Sequence, residues 1–206
     1  FVAGEDAGGV HGANRLGGNG VANSTVFGGI AGDAMPRWLA AHGALHEPDR
    51  EVLDAAVARA CVPLTKPAGD LNAIREALYE IMWDDVGIVR TAASLQRAQG
   101  KLAELDARLD GCGVASGDLA FNLTWHDWLN LKSQILVSQS ICVAAAARED
   151  SRGAHFRTDF PDVRDLDHSH YTCVNWADGR FAISARPVIF SRVRPGATLI
   201  KEEINA

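Results

Sequence analysis

The chain has 206 residues, 47% of them hydrophobic and 22% charged, with a formal net charge of −6; these figures exclude a collagen-like, fibrous or disordered chain and leave room for one or two domains. No apolar run approaches the roughly 20 residues of a membrane span, and with no run of Lys or Arg longer than two this acidic chain offers nucleic acid little to hold. Cys61, Cys112, Cys142 and Cys173 stand far apart without a CxxC pair, so the thiols read as reduced and cytoplasmic and not as a zinc knuckle or a disulfide framework.

The chain opens Phe1-Val2-Ala3-Gly4-Glu5, an apolar stretch meeting a turn, with no methionine, basic n-region or signal-peptide cleavage pattern. It reads as a strand cut into partway, and predicts a C-terminal piece of a longer polypeptide. Residues 1–35 are dense in glycine, which suggests a loop wrapped around a ligand. A helix over Val21 to Ala34 would follow, with unpaired amides at its start. Residues 36–69 carry Pro36, Pro48, Pro63 and Pro67 around a helical stretch, Arg50 to Ala60, and read as a linker.

From Asp70, an N-cap, apolar residues recur at three and four: Leu71, Ile74, Leu78, Ile81 and Met82. A second stripe, Leu95, Ala98, Leu102, Leu105 and Leu109, closes at Gly111 and Gly113. A third runs from about Leu119 to Ala147, with Trp128, Leu131, Ile135, Cys142 and Ala145 on one side. Three such helices with short connections over 70–150 suggest an up-down-up, spectrin-repeat-like bundle. Residues 151–206 mix charged turns with β-favouring runs, Phe181-Ala182-Ile183 and Pro187-Val188-Ile189-Phe190, and read as an extended tail.

The chemistry-bearing segment is His11-Gly12-Ala13-Asn14-Arg15-Leu16-Gly17-Gly18-Asn19, which sets a fixed cation, an imidazole and an amide in a glycine-rich turn. A structural loop is one reading. The other is a carboxylate or phosphate site, because the planar guanidinium matches two oxygens at once. Ser151-Arg152-Gly153-Ala154-His155 holds a Ser, an Arg and a His without an evident acid-base order, and reads as a docking segment. Met82-Trp83 and the Trp125/Trp128 pair read as core or interface. His168 and His170 beside Asp165 and Asp167 read as a solvated turn, so no metal site is expected.

Gly4-Glu5 followed by Gly9-Val10-His11 through Asn19 closely resembles the flavin and dicarboxylate segment of the succinate dehydrogenase/fumarate reductase flavoprotein family. Two further runs agree with that family's helical C-terminal domain: Met82-Trp83-Asp84-Asp85-Val86-Gly87-Ile88-Val89-Arg90, and Ser151 to Arg157 with Asp159-Phe160-Pro161-Asp162. The resemblance covers residues 1–35 and 71–162, and the tail loosely. It implies FAD as cofactor and a mainly α fold, in which residues 1–35 are the closing strand, loop and helix of an FAD-binding α/β domain ahead of the bundle and tail.

The resemblance also assigns residues. Glu5 matches the acid that hydrogen-bonds the FAD ribose or ribityl region, and Asn19, Gly20 and Val21 match the stretch that meets the flavin ring, the last two through their backbone. Arg15 matches the arginine that clamps a substrate carboxylate, and His11 either joins it in the catalytic set or braces the loop. Relatives often carry Ser or Ala in place of Gly20. The implied reaction is interconversion of succinate and fumarate by hydride transfer to or from flavin. The implied partners are the dicarboxylate and an iron-sulfur subunit, with a peripheral place at the inner membrane through partner subunits. No GxGxxG fingerprint, covalent-flavin histidine region or capping segment is present, so the chain alone is expected neither to hold FAD tightly nor to turn over. An L-aspartate oxidase-type flavoenzyme and a non-catalytic docking module for an electron-transfer partner are the alternatives.

Overall fold

The computed structural model describes residues 1–43 and 46–197 and is mainly helical. Phe1 to Ala3 form no strand; the chain turns directly into a 3-10 turn at Gly4–Asp6. A strand exists by its ladder, and no described residue pairs with Phe1 to Ala3.

Helix α1 spans Asn19–His42 and runs through Pro36, beyond the expected end at Ala34. A proline there forfeits the hydrogen bond to the carbonyl of Gly32, a cost of roughly 3 kcal/mol in a helix interior. Seven residues assigned to the linker therefore lengthen the helix. Helix α2, Arg50–Cys61, is capped by Asp49, whose carboxylate accepts from the amides of Glu51 and Val52 at 2.9 and 3.4 Å.

The core lies among three helices whose apolar spacing is regular. Helix α3, Leu71–Asp84, starts under Asp70, which accepts from Ala73 N at 3.0 Å, and buries Leu71, Ile74, Leu78 and Ile81. Helix α4, Ala92–Asp110, is held at its start by a capping box between Thr91 and Ser94, and buries Leu95, Ala98, Leu102, Leu105 and Leu109. Helix α5, Leu123–Ala147, begins after Asn122, which accepts from Trp125 N at 3.0 Å, so the start falls a turn later than Leu119. Its buried residues, Trp128, Leu131, Ile135, Ser138, Cys142 and Ala145, recur at three and four. These helices pack on one another around a shared apolar cluster. Trp128 sits in it with its indole N–H donated to the carbonyl of Cys112 at 3.0 Å, whereas Trp83 stands 80% exposed and belongs to no core.

Buried Asp85 ties α3 to α4, accepting from Arg97 at 2.7 Å and Lys101 at 2.8 Å. Those hydrogen bonds, Lys101 foremost, hold its carboxyl below the ordinary range against the opposing cost of burial.

Two small sheets complete the fold. Strand β1, Val89–Arg90, pairs in parallel with β2, Phe156–Arg157. Strands β3, His170–Ala177, and β4, Arg180–Pro187, form an antiparallel hairpin in which Ala177 faces Arg180 across Asp178-Gly179. Both turn residues have positive φ, 53° and 72°, as a two-residue hairpin turn of this hand requires. Of the β-favouring runs in the tail, Phe181-Ala182-Ile183 lies in β4, while residues 188–190 carry no strand.

Candidate functional site

The glycine-rich loop is held from two sides. On one side is Asn23, the buried residue of α1. Its amide nitrogen donates to the Gly4 carbonyl at 3.1 Å and lies 3.4 Å from His11 Nε2. A single side chain thus joins the turn that carries Glu5 to the loop that carries His11. No motif marked Asn23; its only sequence signal is an amide inside an otherwise small and apolar helical run.

On the other side is the segment after α5. Ala154 N donates to the Ala13 carbonyl at 3.2 Å. Gly153 has φ +58°, and a Cβ on it would lie 2.2 Å from that same oxygen. Both the backbone conformation and the space exclude a side chain at this joint. The docking segment therefore docks the chain's own loop, across 140 residues of sequence.

Arginines and serines fix that segment in turn. Arg157 is fully buried, donates through Nη1 to the carbonyls of Ala145, Ala146 and Arg148, and so satisfies the end of α5. Its remaining nitrogens pair with Asp159 at 2.8 and 2.7 Å, and Asp159 accepts from Ala92 N at 2.8 Å at the start of α4. The guanidinium beside Asp159 keeps that carboxyl far below the usual carboxylate range. Ser151 Oγ accepts from Arg157 N at 2.8 Å. Arg90, donating through Nε to the Val86 carbonyl at 2.9 Å, places Nη1 2.8 Å from His155 Nδ1. Burial, and then the Arg90 charge, push the His155 imidazole below its ordinary value.

Within the loop, Arg15 is seated over the first turn of α1. Its Nη1 lies 3.3 Å from where a Cβ on Gly20 would stand, a contact that a shift of a few tenths of an ångström in the exposed guanidinium would relieve. Helix α1 begins after Gly18, in a left-handed conformation, with no side-chain cap. Asn19 N donates to the Leu16 carbonyl and Ala22 N to that of Gly18, each at 3.2 Å, while Gly20 and Val21 contribute amides of the class a helix start leaves unpaired. Glu5, Arg15, Asn19 and Val21 are exposed; His11 and Gly20 are half-buried. Residues 5 to 21 thus present a carboxylate acceptor, amide donors and an exposed cation, a set suited to a ligand bearing hydroxyls and anionic oxygens. His168 lies away in an exposed turn, its Nδ1 2.6 Å from Asp165.

The family model described as fumarate reductase flavoprotein C-term matches residues 75–200. The chain belongs to that family. It is 31% identical to the fumarate reductase flavoprotein subunit of Escherichia coli K12, covering 100% of this chain and 35% of that one. The 8-methylmenaquinol:fumarate reductase flavoprotein subunit of Wolinella succinogenes is 33% identical over 84% of this chain and 29% of its own length. An L-aspartate oxidase of Mycobacterium leprae is 33% identical over 90% of this chain and 30% of its own. The solved structure of E. coli quinol fumarate reductase superposes with a TM-score of 0.85 at 30% identity, over 96% of this chain and 35% of that chain. The chain therefore spans about a third of the length of the relatives it matches. Among its described residues no helix is long and apolar enough to cross a membrane.

Proposed function

We propose that the full-length protein is an FAD-dependent dicarboxylate oxidoreductase that interconverts succinate and fumarate. In this reading residues 1–35 end the FAD-binding domain, 36–69 link, the first seven of them as the end of α1, 70–150 form the helical C-terminal domain, and 151–206 are its tail. The observation that supports it is the placement of Arg15, an exposed cation beside the first turn of α1, in a loop anchored at both sides.

Bound FAD supplies the acceptor or donor of a hydride. The chain's own residues bind and orient. Glu5 would accept from a cofactor hydroxyl, Asn19 would add an amide side chain, and the backbone of Gly20 and Val21 would meet the flavin ring. Arg15 clamps a substrate carboxylate through its two-pronged guanidinium, and His11, braced against Asn23, sets the height of the loop and contacts the site. Clamping one carboxylate restricts the substrate to the orientation in which its carbon–hydrogen bond can react, which is a large part of such rates. An iron-sulfur subunit would take the electrons, with the assembly cytoplasmic and peripheral at the inner membrane through its partners. The 206-residue chain alone neither holds FAD tightly nor turns over.

Similarity to an L-aspartate oxidase supports a second reading in which the substrate is the amino acid. An anaerobic absorbance titration of the full-length flavoprotein separates the two. Succinate is expected to bleach the oxidised flavin band; bleaching by L-aspartate alone would replace the first reading by the second.

A further inference from the structure

Asn23 stands in the second turn of α1, 5% exposed, and its amide meets two other segments at once. Nδ2 lies 3.1 Å from the Gly4 carbonyl and 3.4 Å from His11 Nε2, while Oδ1 is buried without a partner. Gly4, at φ +79°, also rests on the neighbouring residue, since a Cβ there would stand 2.9 Å from Ser24 Oγ and 3.2 Å from Ser24 Cα. The turn that carries Glu5 is therefore seated on α1 twice, by packing on Ser24 and by the Asn23 bond. The half-buried His11 meets the same helix through its ring, at Asn23.

The chemistry of these contacts fixes where the protons are. A carbonyl oxygen only accepts, so the Asn23 atom that faces Gly4 is the nitrogen. Turning the amide over would set two oxygens face to face and bury the NH2 group without an acceptor at its new position, a worse outcome than one orphan oxygen. The nitrogen carries two hydrogens. One goes to Gly4, and the other is directed at His11 Nε2, which in the neutral ring can receive it only as the unprotonated nitrogen. The ring proton is then on Nδ1. Nε2, at the tip of the ring, is engaged by a buried donor and has no proton to give.

We propose that Asn23 is a positioning residue that locks His11 in the Nδ1–H tautomer, so that His11 serves the site as a hydrogen-bond donor through Nδ1 and not as a proton-transferring acid through Nε2. The service to the site rests on the function proposed above; the tautomer does not. Asn23 itself touches no ligand in this scheme and acts through the imidazole.

Neutron diffraction from deuterium-exchanged crystals of the oxidised full-length flavoprotein, grown at mildly alkaline pH where a histidine ring is neutral, reads the tautomer directly. Deuterium is expected on His11 Nδ1 and at both positions of Asn23 Nδ2, with none on His11 Nε2. Deuterium on Nε2 would overturn the proposal whatever the substrate of the enzyme.

A double-mutant cycle tests the action through His11, read as kcat/KM for whichever of succinate and L-aspartate reduces the flavin. Asn23→Leu and His11→Phe are each expected to lower it roughly tenfold, the scale of one hydrogen bond, with little further loss in the double variant. Flavin content should hold in all three, because Gly4 still packs on Ser24. Unchanged kcat/KM in either single variant, or fully additive losses in variants that retain flavin, would separate Asn23 from His11 and overturn the proposal. Reduction by neither substrate would refute the function proposed above, and the neutron result would then decide the tautomer by itself.

Discussion

Helices α1 and α4 are both long, yet they bury opposite shares of themselves. Helix α4 places a leucine or alanine inward at every turn and has five apolar residues in the core. Helix α1 has Asn23 as its buried residue, and leaves Val21 at 76% and Ile30 at 56% exposure. The difference lies in pattern rather than in apolar content. Helix α4 alternates leucines with charges and has one sticky face; α1, built from glycine, alanine and scattered large apolar residues, has no polar face to offer solvent. A helix apolar around its circumference is suited to being covered. One end of the molecule is therefore packed around its own apolar cluster, and the other leaves most of its apolar surface exposed.

That contrast can be broken most sharply by hydrogen exchange. In the 206-residue chain the amides of α4 are expected to exchange at least about 10³-fold more slowly than those of α1, and in the full-length flavoprotein α1 should gain much of that protection. Equal rates in the short chain would refute the division. Next in size is Arg15→Ala in the full-length enzyme, which should lower kcat/KM for the dicarboxylate on the order of 10² to 10³-fold while the flavin absorbance stays, as fits loss of a clamp at the reacting end. Normal kcat/KM would remove Arg15 from the site.

Stability should show the reverse preference. Leu102→Ala, at a fully buried position, should cost about 2 to 5 kcal/mol in urea unfolding of the chain. Ile30→Ala should cost within about 0.5 kcal/mol there. Gly153→Ala probes the joint between the two ends: a Cβ meeting the Ala13 oxygen should cost about 1 to 3 kcal/mol and raise KM for the dicarboxylate, although Gly153 is distant from Arg15 in sequence. The smallest effect is electrostatic. The folded-state pKa of Asp85 is lowered, so its contribution is complete above the unfolded carboxylate value near about 4 and is lost as pH falls through the folded value. With half-exposed partners it should amount to about 1 kcal/mol, and Asp85→Asn should flatten the acid limb of the unfolding profile.

The parts legible in the sequence are those decided by local pattern. Leu95, Ala98, Leu102, Leu105 and Leu109 announce their helix because burial on a cylinder requires that spacing, and Asp70 announces its start because a carboxylate suits the free amides there. Passage of α1 through Pro36 was not legible, since proline reads as a breaker until packing shows otherwise. Strand β3 was missed because its burial does not alternate; the available signal was Asp178-Gly179, a turn pair that fixes a hairpin whatever its flanks bury. At the candidate site, the motif singled out Arg15 and Glu5 by type and order. It said nothing of Asn23, whose partners Gly4 and His11 lie 19 and 12 residues away in other elements, nor of Gly153 against Ala13, because a contact between segments 140 residues apart leaves no trace in either one alone.

The seat of Arg15 has an electrostatic consequence. No acidic residue stands in the first turn of α1, and the guanidinium lies over that turn, against the positive end of the helix macrodipole. Like partial charges are thereby pressed together before any ligand arrives. An anion entering between them would be attracted by both. Dicarboxylate affinity should accordingly fall with added salt, and chloride should act as a weak competitor at the same turn.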